Sequence, residues 1–201
     1  MRRFATVTGR IATLDWDDVD SDQILPGAWM RGISPDFAAG FFGLWRRDPA
    51  FVLNRPELQG APILLAGRNF GCGSTREHAV WAVAAYGIRV LLAASFAEVF
   101  RENCLKNGLL ALPLPEASLQ AVREAASSGD FSVDLHAQRI TGPGGFALAF
   151  EIAPQERTAL LEGLDDIGMS LKCADAIAAF EAHERDARPW LQSMNDRSAA
   201  G

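Results

Sequence analysis

Apolar positions in this chain fall into runs and alternations that predict its elements. Residues 61–66 (APILLA), 88–94 (IRVLLAA) and 109–114 (LLALPL) are almost uninterrupted, the pattern of strands buried on both faces. Between the first two lie residues 79–85, whose alanines suit a buried helix, with Gly87 as its stop. Two apolar strands joined by a helix of this length predict a βαβ unit, parallel and with a right-handed crossover. Between the second and third runs, Phe96, Val99, Phe100 and Cys104 recur at helical spacing, after a start at Ser95 and before a stop at Gly108.

Alternation is looser elsewhere. Residues 4–14 read as an opening strand, and residues 131–140 and 144–152 as two strands joined through the glycine-rich turn at 142–145. Residues 115–128 predict an amphipathic helix with Leu119, Val122 and Ala126 facing inward, and 154–163 and 173–184 predict closing helices. Residues 27–49 are rich in Gly, Phe and Trp without periodicity, which suggests a long ordered loop with short helical turns lying over a site or an interface. A connector interrupted by Pro56 follows. We expect one domain over residues 1–184 and a polar, frayed tail over 185–201, anchored at Pro189 and Trp190.

Composition narrows the partners. A chain of 201 residues that is 49% hydrophobic can bury one sizeable core without disulfides or a structural metal. A net charge of -6 argues against a nucleic-acid surface, because the pairs Arg2/Arg3 and Arg46/Arg47 stand alone. No run has signal-peptide character or membrane-spanning length, so a cytosolic protein is expected. Cys72, Cys104 and Cys173 are odd in number and far apart, which suits reduced thiols. Five aspartates crowd residues 15–26, DWDDVDSDQILP; the EF-hand spacing is missing, and such a loop is ordinarily solvated turn and caps.

The candidate chemistry sits at residues 69–78, NFGCGSTREH, between a predicted strand and a helix start. Gly71 and Gly73 permit a tight turn with close backbone approach. Ser74 is placed to cap the helix, with Glu77 completing a capping box, and the free amides there favour an anion. Arg76 adds a fork shaped for carboxylate. A serine in such a setting can act as a base once its alkoxide is stabilised. The nucleophile elbow, the dinucleotide fingerprint and the Walker loop all fail on this spacing. Taken alone, a Gly-Ser turn before a helix is common, His78 reads as a structural residue and Cys72 as an inert thiol. Only the crowding of Ser, Thr, Arg, Glu and His distinguishes the stretch.

NFGCGSTREHAVWA, followed by GIRVLLAASFAEVFRENCLKNGLLALPL, resembles the small subunits of bacterial 3-isopropylmalate dehydratase in the aconitase superfamily. The likeness continues through DSDQILP, FVLNRPELQGAPILLAG and LDDIGMSLKCADAIAAFE. It implies an α/β fold, a three-layer β/β/α swivelling domain with a partly parallel sheet. It also implies an obligate large subunit that carries a [4Fe-4S] cluster, leaving this chain without cofactor or metal. The implied substrate is a 2-substituted malate, isomerised between 2- and 3-isopropylmalate through 2-isopropylmaleate. Position by position, Ser74 resembles the alkoxide base and Arg76 the carboxylate clamp. Thr75 stands where a second serine is usual, with a binding role, and Asp22 matches an active-site aspartate. Pro35 falls about where the family has an arginine, for which Arg31 is a substitute. That departure leaves citramalate, dimethylmalate or homocitrate open as substrates, and a non-catalytic carboxylate-binding regulatory module as the reading of another class.

Overall fold

In the computed structural model, residues 1–31, 35–188 and 190 are described. They belong to two compact units, Met1–Gly163 and Leu164–Gly201. The division falls inside the stretch 1–184 read from the sequence as one domain.

The eight strands among the described residues all lie in the first unit. Four of them, β1 (Thr6–Gly9), β6 (Phe131–Asp134), β7 (Arg139–Thr141) and β8 (Ala147–Ala149), pair antiparallel in that order. The other four, β2 (Ile11–Thr13), β3 (Ile63–Leu65), β4 (Val90–Ala93) and β5 (Leu110–Pro113), form a parallel sheet in sequence order. Its helices in chain order are α1 (Ser21–Ile24), α2 (Phe37–Gly40), α3 (His78–Tyr86), α4 (Glu98–Lys106), α5 (Glu116–Ala125) and α6 (Pro154–Glu162).

Register explains the layering. Ile63 pairs with Ile11 and Val90, and Val90 with Leu110, so residues at one pleat position line up across the sheet. Ile63, Leu65, Val90, Leu92, Leu110 and Leu112 pack toward Phe131, Val133 and Ile140 of the antiparallel sheet. Their neighbours Ala12, Leu64, Leu91, Ala93 and Ala111 pack the other way, against α3 and α4. A sheet buried on both faces needs apolar residues at successive positions, which is why these strands read as runs rather than alternations. The result is the three-layer β/β/α fold.

Two elements differ from the sequence reading. The stretch 4–14 is two strands in different sheets: Gly9 (φ 157°) breaks it, and a Cβ there would lie 2.6 Å from the Pro62 ring. Residues 131–140 likewise divide into β6 and β7 across a tight turn, with Gln138 at φ 50°. The expected short turns within 27–49 are present as a 3-10 turn at Gly27–Met30, α2, and a second 3-10 turn at Trp45–Arg47. Phe42 of this segment stacks on Trp45 at 5.1 Å and 8°, and Phe41 tilts over Tyr86 of α3.

The second unit holds α7 (Asp166–Leu171), which the sequence reading missed, and α8 (Ala174–Ala187). The side chain of Asp165 caps α7 by accepting from the Gly168 amide at 2.8 Å. Helix α8 extends beyond its expected end at Glu184. Of the expected tail, Pro189 and residues 191–201 lie outside the described residues.

Because Leu64 and Leu65 face different buried layers, truncating either to Ala lowers the unfolding free energy by about 2–5 kcal/mol. Urea denaturation of the two variants checks this; a near-neutral result for one of them would mean that the sheet has a solvated face.

Candidate active site

The site forms where β2, β3 and β4 release the chain. Parallel strands put their carboxyl ends on one edge of the sheet, so the segments that follow them run side by side. After β2 and β3, the Gly71 amide donates to the Val19 carbonyl and the Ser21 amide to the Cys72 carbonyl, each at 2.8 Å. After β4, the Phe70 amide donates to the Ser95 carbonyl and the Ala97 amide to the Phe70 carbonyl. Side chains add to the lacing: Asn69 Nδ2 donates to Asp18 at 2.8 Å, and Ser95 Oγ accepts from the Asn69 amide at 2.9 Å.

Each aspartate of the loop after β2 has its own partner. Asp15 pairs with Arg123, and Asp17 receives both the amide and the guanidinium of Arg68. The Arg68 amide first, and then its guanidinium, hold the Asp17 carboxyl below the usual carboxylate range. Asp20 caps α1 in a capping box with Gln23, accepting from the amides of Asp22 and Gln23. Asp22, in the first turn of α1, faces Arg76 at 3.6 Å.

Gly71 and Gly73 adopt φ values of 80° and 94°, as the tight turn requires. A Cβ on Gly71 would run into the ring of Phe100. Beyond the turn, the Ser74 amide donates to Ser21 Oγ at 3.0 Å. Ser74 Oγ accepts from Arg76 twice, from Nε at 2.8 Å and from the amide at 3.2 Å. The side chain is half-buried, so it is fixed yet reachable. Two donors, one of them charged, favour the ionised hydroxyl over the neutral one.

This arrangement corrects the expected capping box. Helix α3 starts at His78, and its N-cap is Glu77, which forms no capping bond and accepts from Trp81 Nε1 at 3.2 Å. Residues 74–76 are not helical, so Ser74 is served by Arg76 rather than by the first amides of a helix.

Ser21, Asp22, Ser74, Arg76 and His78, with Leu25, Met30 and Ala79, line a cavity of about 10 Å³, room for roughly one water molecule. His78 packs its ring against Trp81 at 4.8 Å, and its Nδ1 is buried with no hydrogen-bond partner. Thr75 and Arg31 are exposed and outside the cavity lining, although Arg31 directly follows Met30. The Thr75 carbonyl accepts from the buried side chain of Asn103 at 3.3 Å. Ser21 and Asn103 are positioning residues that the sequence reading did not single out. The spacing of Asp20 and Gln23 marks the helix start beside Ser21, whereas nothing local marks Asn103.

The thiols do not converge. Burial, then the carboxylates of Asp20 and Asp18, push the Cys72 thiol up; burial pushes Cys104, sealed in the core, up further. Cys173 belongs to the second unit. Among the described residues, no three His, Cys, Asp or Glu side chains are grouped to hold a metal ion.

Comparison with known proteins gives a consistent picture. Residues 45–117 match the model of the aconitase C-terminal domain, and residues 166–193 that of the C-terminal domain of the 3-isopropylmalate dehydratase small subunit. The chain is 46% identical to 3-isopropylmalate dehydratase small subunit 2 of Bordetella parapertussis, over 95% of this chain and 100% of that one. It is 44% identical to the 3-isopropylmalate dehydratase small subunit of Rhodospirillum centenum, over 94% and 98%. Among solved structures, 3-isopropylmalate dehydratase of Methanocaldococcus jannaschii superposes with a TM-score of 0.64 at 26% identity, covering 88% of this chain and 99% of that one.

The left-handed turn and the Phe100 ring together predict that Gly71→Ala lowers the unfolding free energy by about 2 kcal/mol or more. Chemical denaturation measures it, and an unchanged midpoint would show that the turn is not held as described.

Proposed function

Because this chain belongs to the family of 3-isopropylmalate dehydratase small subunits, we propose that it is the small subunit of a hydro-lyase of leucine biosynthesis. The enzyme interconverts 2-isopropylmalate and 3-isopropylmalate by losing water to 2-isopropylmaleate and returning it at the neighbouring carbon. The observation that carries this reading is a serine hydroxyl held by the Arg76 guanidinium at 2.8 Å beside a cavity of about 10 Å³. The reactive groups are present, but the room for a substituted malate is not, so the remaining walls belong to a second polypeptide, the large subunit. To that partner we assign the [4Fe-4S] cluster that serves as Lewis acid for the departing hydroxyl. The thiols of this chain do not fit one, since Cys104 is sealed in the core and burial favours the protonated form of Cys72.

On this reading Ser74, ionised, takes the proton from the carbon beside the hydroxyl-bearing carbon. The freed electron pair closes the double bond as the hydroxyl leaves, and in the return direction the Ser74 hydroxyl gives its proton back. Arg76 holds Ser74 through Nε and offers its remaining N–H groups to a substrate carboxylate. Its contact with Asp22 at 3.6 Å is exposed on both sides and therefore weak, so a substrate carboxylate can displace it. Thr75 donates its exposed hydroxyl to the substrate, and Arg31 reaches the second carboxylate. No described helix is long and apolar enough to cross a membrane, and we assign the enzyme to the cytosol.

Reconstituted with a large subunit, Ser74→Ala forms the complex but loses turnover by about 10²-fold or more; wild-type kcat in that variant would exclude Ser74 as the base. Arg76→Lys raises KM and also lowers kcat, because a single ammonium cannot hold Ser74 and clasp a carboxylate together. Steady-state kinetics decide it, and a variant with both constants unchanged removes Arg76 from the mechanism. In the same assay isopropylmalate outpaces citramalate, whose arm is two carbons shorter, by a factor of about 10²–10⁴, at about 10–200 for each methylene lost from an apolar pocket.

A further inference from the structure

Of the polar residues described on the wall of the Ser74 cavity, Ser21, Asp22, Ser74 and Arg76 each have a polar partner, and His78 has none. Apolar contacts fix its ring all the same: it packs on Trp81 at 4.8 Å and meets Phe37 at 6.1 Å in an edge contact. Trp81 is held in turn, since its Nε1 donates to Glu77 at 3.2 Å. The two ring nitrogens differ. Nδ1 is buried, whereas Nε2 keeps accessible surface, and neither has a hydrogen-bond partner among the described residues. Nδ1 is also the nitrogen nearer the backbone, and His78 opens α3, whose first turn has no side-chain cap. A proton on Nδ1 would be a buried N–H without an acceptor, set against the positive end of the helix dipole. The neutral ring therefore carries its proton on Nε2, where the N–H can still donate. Ala79 joins His78 on the cavity wall, so the uncapped start of α3 favours an anion in the same place.

We propose that His78 is a substrate-binding residue whose Nε2–H donates to the carboxylate clasped by Arg76, an inference that rests on the function proposed above. Arg76 is already committed to Ser74 through Nε, so a second donor adds to the grip on the carboxylate. An uncharged donor does so without lowering the basicity of ionised Ser74, as a second cation beside it would.

Nitrogen-15 spectra of the full chain, which has three histidines, read the tautomer with no turnover involved. The neutral ring of His78 is expected to be protonated on Nε2, and a proton on Nδ1 overturns the proposal. In the pair reconstituted with a large subunit, His78→Phe keeps a ring against Trp81 but has no N–H. It is expected to raise KM about tenfold or more, the range for a hydrogen bond to a charged group, with kcat within about threefold. His78→Gln, whose side-chain amide reaches the place of Nε2, is expected to recover most of that loss. An unmoved KM in His78→Phe, a loss confined to kcat, or an equal rise of KM in both variants overturns the donor and leaves the isomerase reading intact. A wild-type pair that turns over no substituted malate removes that reading, and the donor with it.

Discussion

Parallel pairing of β2, β3 and β4 is the constraint on which the site depends. Because the three strands run the same way, the segments leaving them emerge together and can bond to one another through their backbones. Asp20 and Cys72 come into bridge register on one side, and Phe70 and Phe96 on the other. Without that register Ser21 would not reach the Ser74 amide, nor Asn103 the Thr75 carbonyl. The catalytic hydroxyl of the proposed reaction is thus placed by sheet hydrogen bonds many residues away in sequence.

The site carries local strain that the core offsets. Asp18 and Asn69 adopt left-handed backbone conformations, at φ 55° and 54°, which cost roughly 1–2 kcal/mol each for residues with a Cβ. Both belong to the residue types that tolerate this region best, and they bond to each other at 2.8 Å. Two fully apolar layers on either side of the parallel sheet supply the stability that holds such a loop pair in one arrangement.

Charge is allocated one to one. The aspartates after β2 go separately to Arg123, Arg68, Asn69, the cap of α1, and Arg76, so none is left to gather around a cation. Arg76 serves two acceptors, Ser74 and Asp22, and only the second contact is loose enough to exchange. That asymmetry suits the role proposed for Arg76, which keeps its serine while accepting a substrate carboxylate.

Sequence alone determined the runs that become β3, β4 and β5, the helices between them, and the Gly-Cys-Gly-Ser turn that separates strand from helix. These rest on local rules: continuous burial, helical spacing, and glycine where φ must be positive. Ser74 and Arg76 were singled out through residue type and Asp22 through likeness to a known family, and the three line one cavity. Tertiary structure alone decided that residues 4–14 feed two different sheets, because a chain switches sheets where its pairing partners lie, and alternation is the same on both sides of Gly9. It also decided what holds Ser74. A capping box and an arginine clasp draw on the same local letters, Ser-Thr-Arg-Glu. Which forms depends on where α3 begins, and that is set by packing against the parallel sheet rather than by the four residues themselves.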